Sequence, residues 1–194
     1  LEIAKQIWED AEKFAKYAFN KSHSAAYAIL VMRTAYLKAH YPNEYMAAVL
    51  SSYMGSADRL IKYISSCNHN GTPVLPPDIN SSNLEFTPVE EGIRFGLVGV
   101  RGVGAAVAEQ MIAEREANGP YTSLHDFVNR LDAKCYNRKT LEALIKSGAF
   151  DSTGYTRRQL MYFVDETNLL DSASKRQRDR DTGQVSMFDM FANE

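Results

Sequence analysis

Two glycines on either side of one apolar residue, Gly102-Val103-Gly104, form the most suggestive chemical pattern in this chain. Glycine allows positive φ at both positions of a sharp turn, and it leaves the backbone amides uncovered. An amphipathic helical pattern follows directly, so these amides are predicted to lie at a helix N-terminus. There the helix dipole and the unpaired N–H groups favour an anionic oxygen such as that of a phosphate. Val103 is expected to anchor the turn in the core.

The same spacing has other interpretations. A Gly-x-Gly pair between helices is often only a helix C-cap followed by a new helix. It also occurs in dinucleotide-binding loops, which require a preceding strand and a βαβ unit. Here a short apolar helix is predicted before the glycines, at residues 95–101, and a turn at residues 118–120 after the next helix. The dinucleotide loop is therefore disfavoured, and spacing alone leaves a phosphate site and a plain cap both open.

A cluster of basic residues between positions 134 and 146 is the second candidate. Four basic side chains and one acidic side chain, Glu142, give this stretch a local charge of +3. Such a run is usually a solvated helix face. Beside a phosphate-binding turn, however, it would supply further contacts to a nucleic-acid backbone. The basic residues are Lys134, Arg138, Lys139 and Lys146, and Arg101 lies next to the glycine turn.

The first 71 residues are predicted to be helical. Apolar residues recur at helical spacing in four stretches, and Pro42 suits the first position of the third helix. The four stretches are residues 1–19, 24–40, 44–53 and 57–70. Residues 72–96 are predicted to be an extended connector, because prolines remove backbone donors and bias the preceding residues towards extended geometry. Within this connector, residues 84–87 and 93–96 favour a small β-hairpin.

Residues 97–170 are predicted to form two successive helix–turn–helix pairs and one further packed helix over residues 153–170. One helix is predicted to begin near Gly104, and Ser123 and Asn137 are the expected N-caps of the two helices that follow it. Residues 171–194 lose apolar periodicity and are predicted to be a flexible, mixed-charge tail. The fold class is therefore mainly α, with a small β-hairpin.

Composition excludes several classes of protein. The chain has 194 residues and a formal net charge of −2, so it is not a uniformly basic nucleic-acid binder. Its two cysteines, Cys67 and Cys135, lack metal-ligand spacing and indicate reduced, buried thiols. No apolar run is long enough to span a bilayer and no signal peptide is visible. The chain starts at Leu1 within a helical pattern, so we expect it to be a piece of a longer protein.

Five longer stretches are distinctive and lie along essentially the whole chain: residues 19–27 (FNKSHSAAY), 37–42 (LKAHYP), 75–80 (LPPDIN), 96–104 (GLVGVRGVG) and 144–150 (LIKSGAF). Together, and in the same order, they resemble a known family, the bacterial replicative DNA polymerase III alpha subunit. The glycine turn itself resembles the helix-hairpin-helix module, which holds the DNA backbone without reading bases. The resemblance implies the later part of the fingers at 1–71, and a tandem helix-hairpin-helix, duplex-binding domain at 97–170.

The resemblance places residues 19–23 near the nucleotide-binding side of the polymerase cleft. Asn20, Lys21 and His23 would then be close to the incoming nucleotide, since a lysine acts as a mobile point charge for phosphate. The alternative is that these polar residues only cap a helix and that His23 is structural.

The tail contains QVSMF at residues 184–188, which looks like the family's internal sliding-clamp-binding peptide. Gln184 would bond at the rim of a pocket on the clamp, while Met187 and Phe188 would fill it. An apolar cluster on a polar tail is typical of a peptide that binds a groove.

The resemblance also implies what this chain lacks. The family's catalytic aspartates and their Mg²⁺ ions belong to a palm domain that would precede Leu1, so no catalytic, metal or cofactor residue is predicted here. We expect the parent to be a DNA-directed DNA polymerase of the bacterial cytoplasm and this segment to be inactive alone. Its expected partners are primer–template duplex, the sliding clamp and other holoenzyme subunits, with no membrane. Two alternatives stay open: a replisome scaffold with structural hairpins, and a repair protein that uses the same module.

Overall fold

The computed structural model describes residues 2–17, 21–133, 135–166 and 169–181. Most of these residues are helical and a small three-stranded sheet is present, which confirms the mainly α class. The described helices are α1 (Glu2–Tyr17), α2 (Lys21–His40), α3 (Pro42–Ser52), α4 (Ala57–His69), α5 (Ala105–Asn118), α6 (Leu124–Arg130), α7 (Arg138–Ser147), α8 (Arg157–Glu166) and α9 (Leu169–Asp181).

The first two helices expose their apolar side chains. Helix α2 begins at Lys21, three residues before the predicted start, and none of its described residues is buried. Trp8 of α1 is 73% exposed and Met32 of α2 is 71% exposed. The apolar residues of α1 lie along one side of the helix, as predicted, whereas those of α2 are spread around it and form no stripe. In neither helix do the described apolar residues belong to the core of this chain.

Helices α3 and α4 build the smaller of two cores together with the sheet. Pro42 occupies the first turn of α3, as predicted, because its missing N–H has no helical partner there. Leu50 and Ile93 are fully buried in this core. Phe95 packs against both cores and so joins the sheet to the rest of the chain.

The connector contains one more strand than expected. Strand β1 (Val74–Leu75) pairs in parallel with β3 (Gly92–Arg94), and β2 (Thr87–Val89) pairs antiparallel with β3. The prolines do not prevent this pairing, because a proline carbonyl can still accept. The amide of Ile93 donates at 2.9 Å to the carbonyl of Pro73, just before β1, and the amide of Phe95 donates at 3.1 Å to that of Leu75 in β1. The predicted hairpin is present, but its first strand lies at Thr87–Val89 in place of 84–87, and its second lies at Gly92–Arg94 in place of 93–96.

The larger core lies among helices α5 to α9. Val103 is buried in it, as are Met111, Phe127 and Leu144. Residues 78–83 are held against this core by Arg115, which donates to the carbonyls of Ile79 and Ser82 at 3.1 and 2.6 Å.

Three predicted boundaries are wrong. The segment at 95–101 is only one 3₁₀ turn, Leu97–Gly99, because each glycine in this stretch lowers helix propensity. Residues 153–170 form α8 and the start of α9 in place of one helix. Residues 171–181, predicted to be flexible, continue α9: Leu169 is buried and anchors its first turn, and Lys, Arg and Gln are good helix formers.

Candidate nucleic-acid interface

The turn before α5 is held to the core by one side chain and two hydrogen bonds. Val103 is buried, and its amide donates to the carbonyl of Val100 at 3.0 Å. The hydroxyl of Thr140, in α7, donates to the carbonyl of Gly102 at 3.3 Å. These contacts fix the backbone of the turn, so the groups that it presents to solvent have a defined position.

Two of the three amides in this turn donate to no acceptor among the described residues. They belong to Gly102 and Gly104, and both glycines are exposed. The first helical bond of α5 runs from the Ala108 amide to the Gly104 carbonyl at 3.0 Å, so the amides of residues 105–107 have no acceptor within the helix. No side chain caps this end of α5. Four consecutive amides after Val103, those of residues 104–107, therefore have no acceptor among the described residues, and the Gly102 amide is a fifth; the sequence predicted only the two glycine amides.

The two glycines have different roles, which the sequence did not predict. Gly102 has a φ of 98°, a value that favours glycine, so the turn itself requires it. Gly104 has a φ of −80° and ψ of 155°, which any residue adopts. A Cβ at Gly104 would meet no atom within 4 Å. The expectation of positive φ at both glycines is therefore wrong for Gly104, and the fold of this chain gives no reason for a glycine there.

The basic residues beside the turn fall into two groups. Arg101 and Lys139 are exposed and have no ion-pair partner among the described residues. Arg138, by contrast, pairs with Glu142 at 3.0 Å and with Asp165 at 2.5 Å. Lys146 pairs with the same Glu142 at 3.0 Å. Much of the local positive charge counted in the sequence is therefore balanced within the chain.

The ion pairs also shift the titration of their members. Hydrogen bonds from Arg138 and then Lys146 hold the pKa of Glu142 below its usual value. The hydrogen bond to Glu142 and the charge of Asp165 raise the pKa of Arg138. Glu142 is therefore a carboxylate near neutral pH, and it competes with any phosphate for these two cations.

The second hairpin, between α6 and α7, satisfies its own helix ends. The side chain of Asn137 accepts from the Thr140 amide at 3.0 Å, which confirms Asn137 as the N-cap of α7. Ser123 caps α6 in the same way through the Asp126 amide at 3.1 Å. Gly148 ends α7 in the left-handed conformation. These local predictions are confirmed.

The remaining predicted residues are separate from this turn. Lys21 and His23 are exposed in the first turn of α2, where the His23 ring lies 4.3 Å from the Tyr27 ring. Asn20, Lys134, Gln184, Met187 and Phe188 lie outside the described residues. The structure therefore leaves the nucleotide-proximal and clamp-binding assignments as predictions.

The residues that the structure describes contain no group of three or more His, Cys, Asp or Glu side chains arranged to hold a metal ion. No helix in the same part of the chain has the length and apolar character needed to cross a membrane.

Comparison with known proteins places this geometry in a family. A family model described as a helix-hairpin-helix motif matches residues 71–160, which include the turn, both flanking helix pairs and the sheet. DNA polymerase III subunit alpha of Neisseria meningitidis serogroup B is 44% identical over 191 residues, 98% of this chain. The same subunit of Thermus aquaticus is 44% identical over 96% of the chain, and that of Chlamydia muridarum is 41% identical over 97%. Nearly the whole chain is therefore similar to one segment of DNA polymerase III subunit alpha. It spans about 15 to 16% of the length of these curated relatives.

Similarity to a segment of DNA polymerase III subunit alpha gives the turn a context that spacing alone could not supply. The helix-hairpin-helix match includes Gly102 to Gly104 and also Arg138 and Lys139. Sequence reasoning missed the amides of Ala105 and Ala106, whose signal was the absence of a capping side chain at Gly104. It also missed Thr140 and Asp165, because their partners are 38 and 27 residues away in the chain.

Proposed function

We propose that this chain is the part of a replicative DNA polymerase alpha subunit that holds the backbone of duplex DNA without reading its sequence. The observation that carries this proposal is Gly104. Its conformation needs no glycine and its surroundings are empty, yet it opens an uncapped helix N-terminus. A missing side chain at that position allows a phosphate to approach the amides closely.

The groups around the turn favour backbone contact over base contact. Main-chain amides and the cations Arg101 and Lys139 recognise phosphate oxygens, which are the same for every base pair. Two unpaired cations and a net charge of −2 predict weak binding by the isolated chain. The binding should also be sensitive to salt, because each phosphate contact releases condensed counterions.

The family resemblance supports one further role for this chain in the complete polymerase. Asn20, Lys21 and His23 would lie close to the incoming nucleotide, on the fingers. Nucleotidyl transfer itself would depend on carboxylates and Mg²⁺ in a palm domain outside this chain. The segment is therefore proposed to position DNA and not to perform the chemistry.

We also propose that Gln184, Met187 and Phe188 tether the polymerase to its sliding clamp. A Met187→Ala, Phe188→Ala double variant should lose binding to purified clamp in surface plasmon resonance, because the two side chains that fill the pocket are removed. Its duplex affinity should be unchanged. Clamp binding equal to that of the unmodified chain would remove this segment from the proposal.

Fluorescence anisotropy with a labelled duplex tests the backbone contact. Affinity should fall steeply as salt rises from about 50 to about 200 mM. Gly104→Val should lower affinity about tenfold or more at low salt, since one charge-assisted hydrogen bond to phosphate is worth about 1.5–3 kcal/mol.

Gly55→Val is the matched control for Gly104→Val. Gly55 is also exposed, its φ lies outside the positive range, and a Cβ there would meet no atom within 4 Å. The two variants should have similar thermal stability and different duplex affinity. Equal duplex affinity for both variants would contradict the proposal.

One observation favours a second function, a protein-binding scaffold. The apolar side chains of α1 and α2, such as Ile3 at 77% and Val31 at 62% exposure, are uncovered in this chain. Contiguous exposed apolar surface often marks a protein contact. In this alternative Gly104→Val would leave duplex affinity unchanged, whereas aspartate at both Ile3 and Val31 would weaken binding to holoenzyme subunits.

A further inference from the structure

A groove on the smaller core has features that the duplex contact does not use. It lies where the last turns of α2 pass over α3 and α4, and it consists of two adjoining cavities of about 300 and 450 Å³. The two cavities share three lining residues: Lys38, Met46 and Ser66. Lys38 therefore stands at their common boundary.

The smaller cavity has aromatic walls. Tyr45, Tyr53 and Tyr63 line it, and all three are half-buried. The rings of Tyr53 and Tyr63 are stacked, with centroids 5.0 Å apart and planes 19° from parallel. The Arg59 guanidinium carbon lies 5.3 Å from the Tyr53 ring centroid. Stacked aromatic rings with a guanidinium beside them are the surface on which proteins stack unpaired nucleobases.

The larger cavity combines apolar walls with a polar edge. Ala35, Ala39 and Pro42 contribute apolar surface, while Asn70 and Thr72 contribute polar groups. Such a mixture suits a flat ring that has hydrogen-bonding groups at its edge. Cys67 also lines this cavity, and burial raises the pKa of its thiol, so this wall is uncharged at neutral pH.

Charge favours an anionic occupant between the two cavities. Lys38 lines both cavities and has no ion-pair partner among the residues that the structure describes, whereas Arg59 lines neither cavity. The nearby helices also carry acidic side chains, Glu44 and Asp58, but neither of these lines a cavity. The Lys38 ammonium group therefore has a ring-sized cavity on each side. This arrangement matches the order of groups along a nucleic-acid strand, in which a phosphate lies between two bases.

We propose that this groove binds two successive unpaired nucleotides of a single strand. One base stacks against the tyrosines, the next enters the apolar cavity, and the phosphate between them contacts Lys38. A proline-rich peptide would also suit an aromatic groove, but it carries no negative charge to match the central lysine. This surface is separate from the turn at Gly102–Gly104 and does not depend on the duplex contact.

The test uses the complete 194-residue chain and a fluorescein-labelled oligodeoxythymidine that carries one 5-iodouracil. Tyr63→Leu should lower the affinity for this oligonucleotide about fivefold or more, in line with the contribution of one stacked base. Lys38→Gln should lower it about fivefold or more as well, because the phosphate loses a charge-assisted hydrogen bond. Lys62→Gln is the matched control, since Lys62 is an exposed lysine of α4 that lines neither cavity. Tyr63→Phe keeps the ring and should bind normally, which separates stacking from loss of structure.

Photocross-linking of the same oligonucleotide locates the strand. Mass spectrometry should find the cross-link on Tyr45, Tyr53 or Tyr63, and the duplex affinity of Lys38→Gln should be unchanged. A cross-link found only beside Arg101 or Lys139 would overturn the proposal, because the strand would then lie at the glycine turn. Equal binding by all four variants would overturn it too, as would displacement of the strand from the tyrosines by a proline-rich peptide at equal concentration.

Discussion

Helices α5 and α7 each begin after a hairpin turn, but a side chain caps the N-terminus of α7 and none caps that of α5. At α7 the side chain of Asn137 accepts the Thr140 amide, and the adjacent Arg138 is held by Glu142 and Asp165. At α5 no side chain of the described residues caps the helix, and none of their carboxylates pairs with the adjacent cation Arg101. At α7 the Thr140 amide is therefore bonded within the chain, whereas the first amides of α5 are available to a ligand. A helix–turn–helix pair is therefore not by itself an anion site, because a capping side chain can already occupy the amides that an anion would bind.

The largest expected effect comes from Gly104→Asp, which closes the open end. The carboxylate would cap α5 and complement its dipole, so thermal stability should rise slightly. Duplex affinity should fall about tenfold or more, since the carboxylate occupies the phosphate position and repels it. Anisotropy and thermal unfolding on the same sample check both effects.

Asn137→Asp is the matched control for that variant, because it also places a carboxylate at a helix N-terminus. Asp is as good a cap as Asn, so stability should be retained. Duplex affinity should fall much less than in Gly104→Asp. An equal loss in the two variants would mean that both hairpins hold the backbone and that the contrast between them is wrong.

Asn137→Ala should destabilise the chain by about 1 kcal/mol, because α7 loses its cap and the Thr140 amide loses its acceptor. Gly104→Ala should have little effect on stability, since α5 has no side-chain cap to lose and the space is empty. Urea unfolding followed by circular dichroism measures both. Similar destabilisation by the two substitutions would show that the open end is also structural.

Arg101→Gln and Lys139→Gln should each reduce the slope of log affinity against log salt by about 0.9, as expected for the loss of one phosphate contact on B-form DNA. Arg138→Gln should change that slope less, because Arg138 is already paired with carboxylates. Anisotropy titrations at four salt concentrations give the slopes. A larger change for Arg138 than for Arg101 would place the main contact at the second hairpin.

The smallest expected effect is a gain. Glu142→Gln should raise duplex affinity about two- to fivefold, because an exposed ion pair is weak and its loss frees Lys146 for phosphate. Arg138 would keep Asp165 and lose one of its two carboxylate partners. Anisotropy at pH 7 measures this gain, with Glu116→Gln as a control for loss of an exposed carboxylate. An unchanged affinity would mean that these cations face away from the DNA.

The pH dependence of stability follows from the lowered pKa of Glu142. Its stabilising contribution is present above its ordinary value of 4.5 and is lost as pH falls through the lowered value. Glu142→Gln and the unmodified chain should therefore converge in stability at acidic pH. Thermal unfolding between pH 3 and pH 7, about the range in which carboxylates titrate, would detect this convergence.

Predictions from sequence succeeded where the interaction is local. Ser123 and Asn137 were identified as caps because each accepts from an amide three residues later, a distance that the sequence displays. Pro42 was placed correctly for the same reason. Strand β1 was missed, because its partner β3 is about twenty residues away and the intervening prolines appeared to exclude pairing.

The candidate site was predicted in part. The turn and its buried Val103 were expected, because glycine and valine have opposite preferences for exposure. The different roles of Gly102 and Gly104 were not, since the sign of φ depends on how the turn is packed. The pairing of Arg138 with Asp165 spans 27 residues and was likewise hidden.

The sequence by itself determined that this chain is helical, where its capped helices begin, and that one sharp glycine turn precedes a helix. Those properties depend on side-chain periodicity and on contacts within one helical turn. Only the tertiary structure decided which basic residues stay unpaired and that Gly104 has empty space in front of it. Both depend on side chains that are distant in the chain and are brought together when the helices pack.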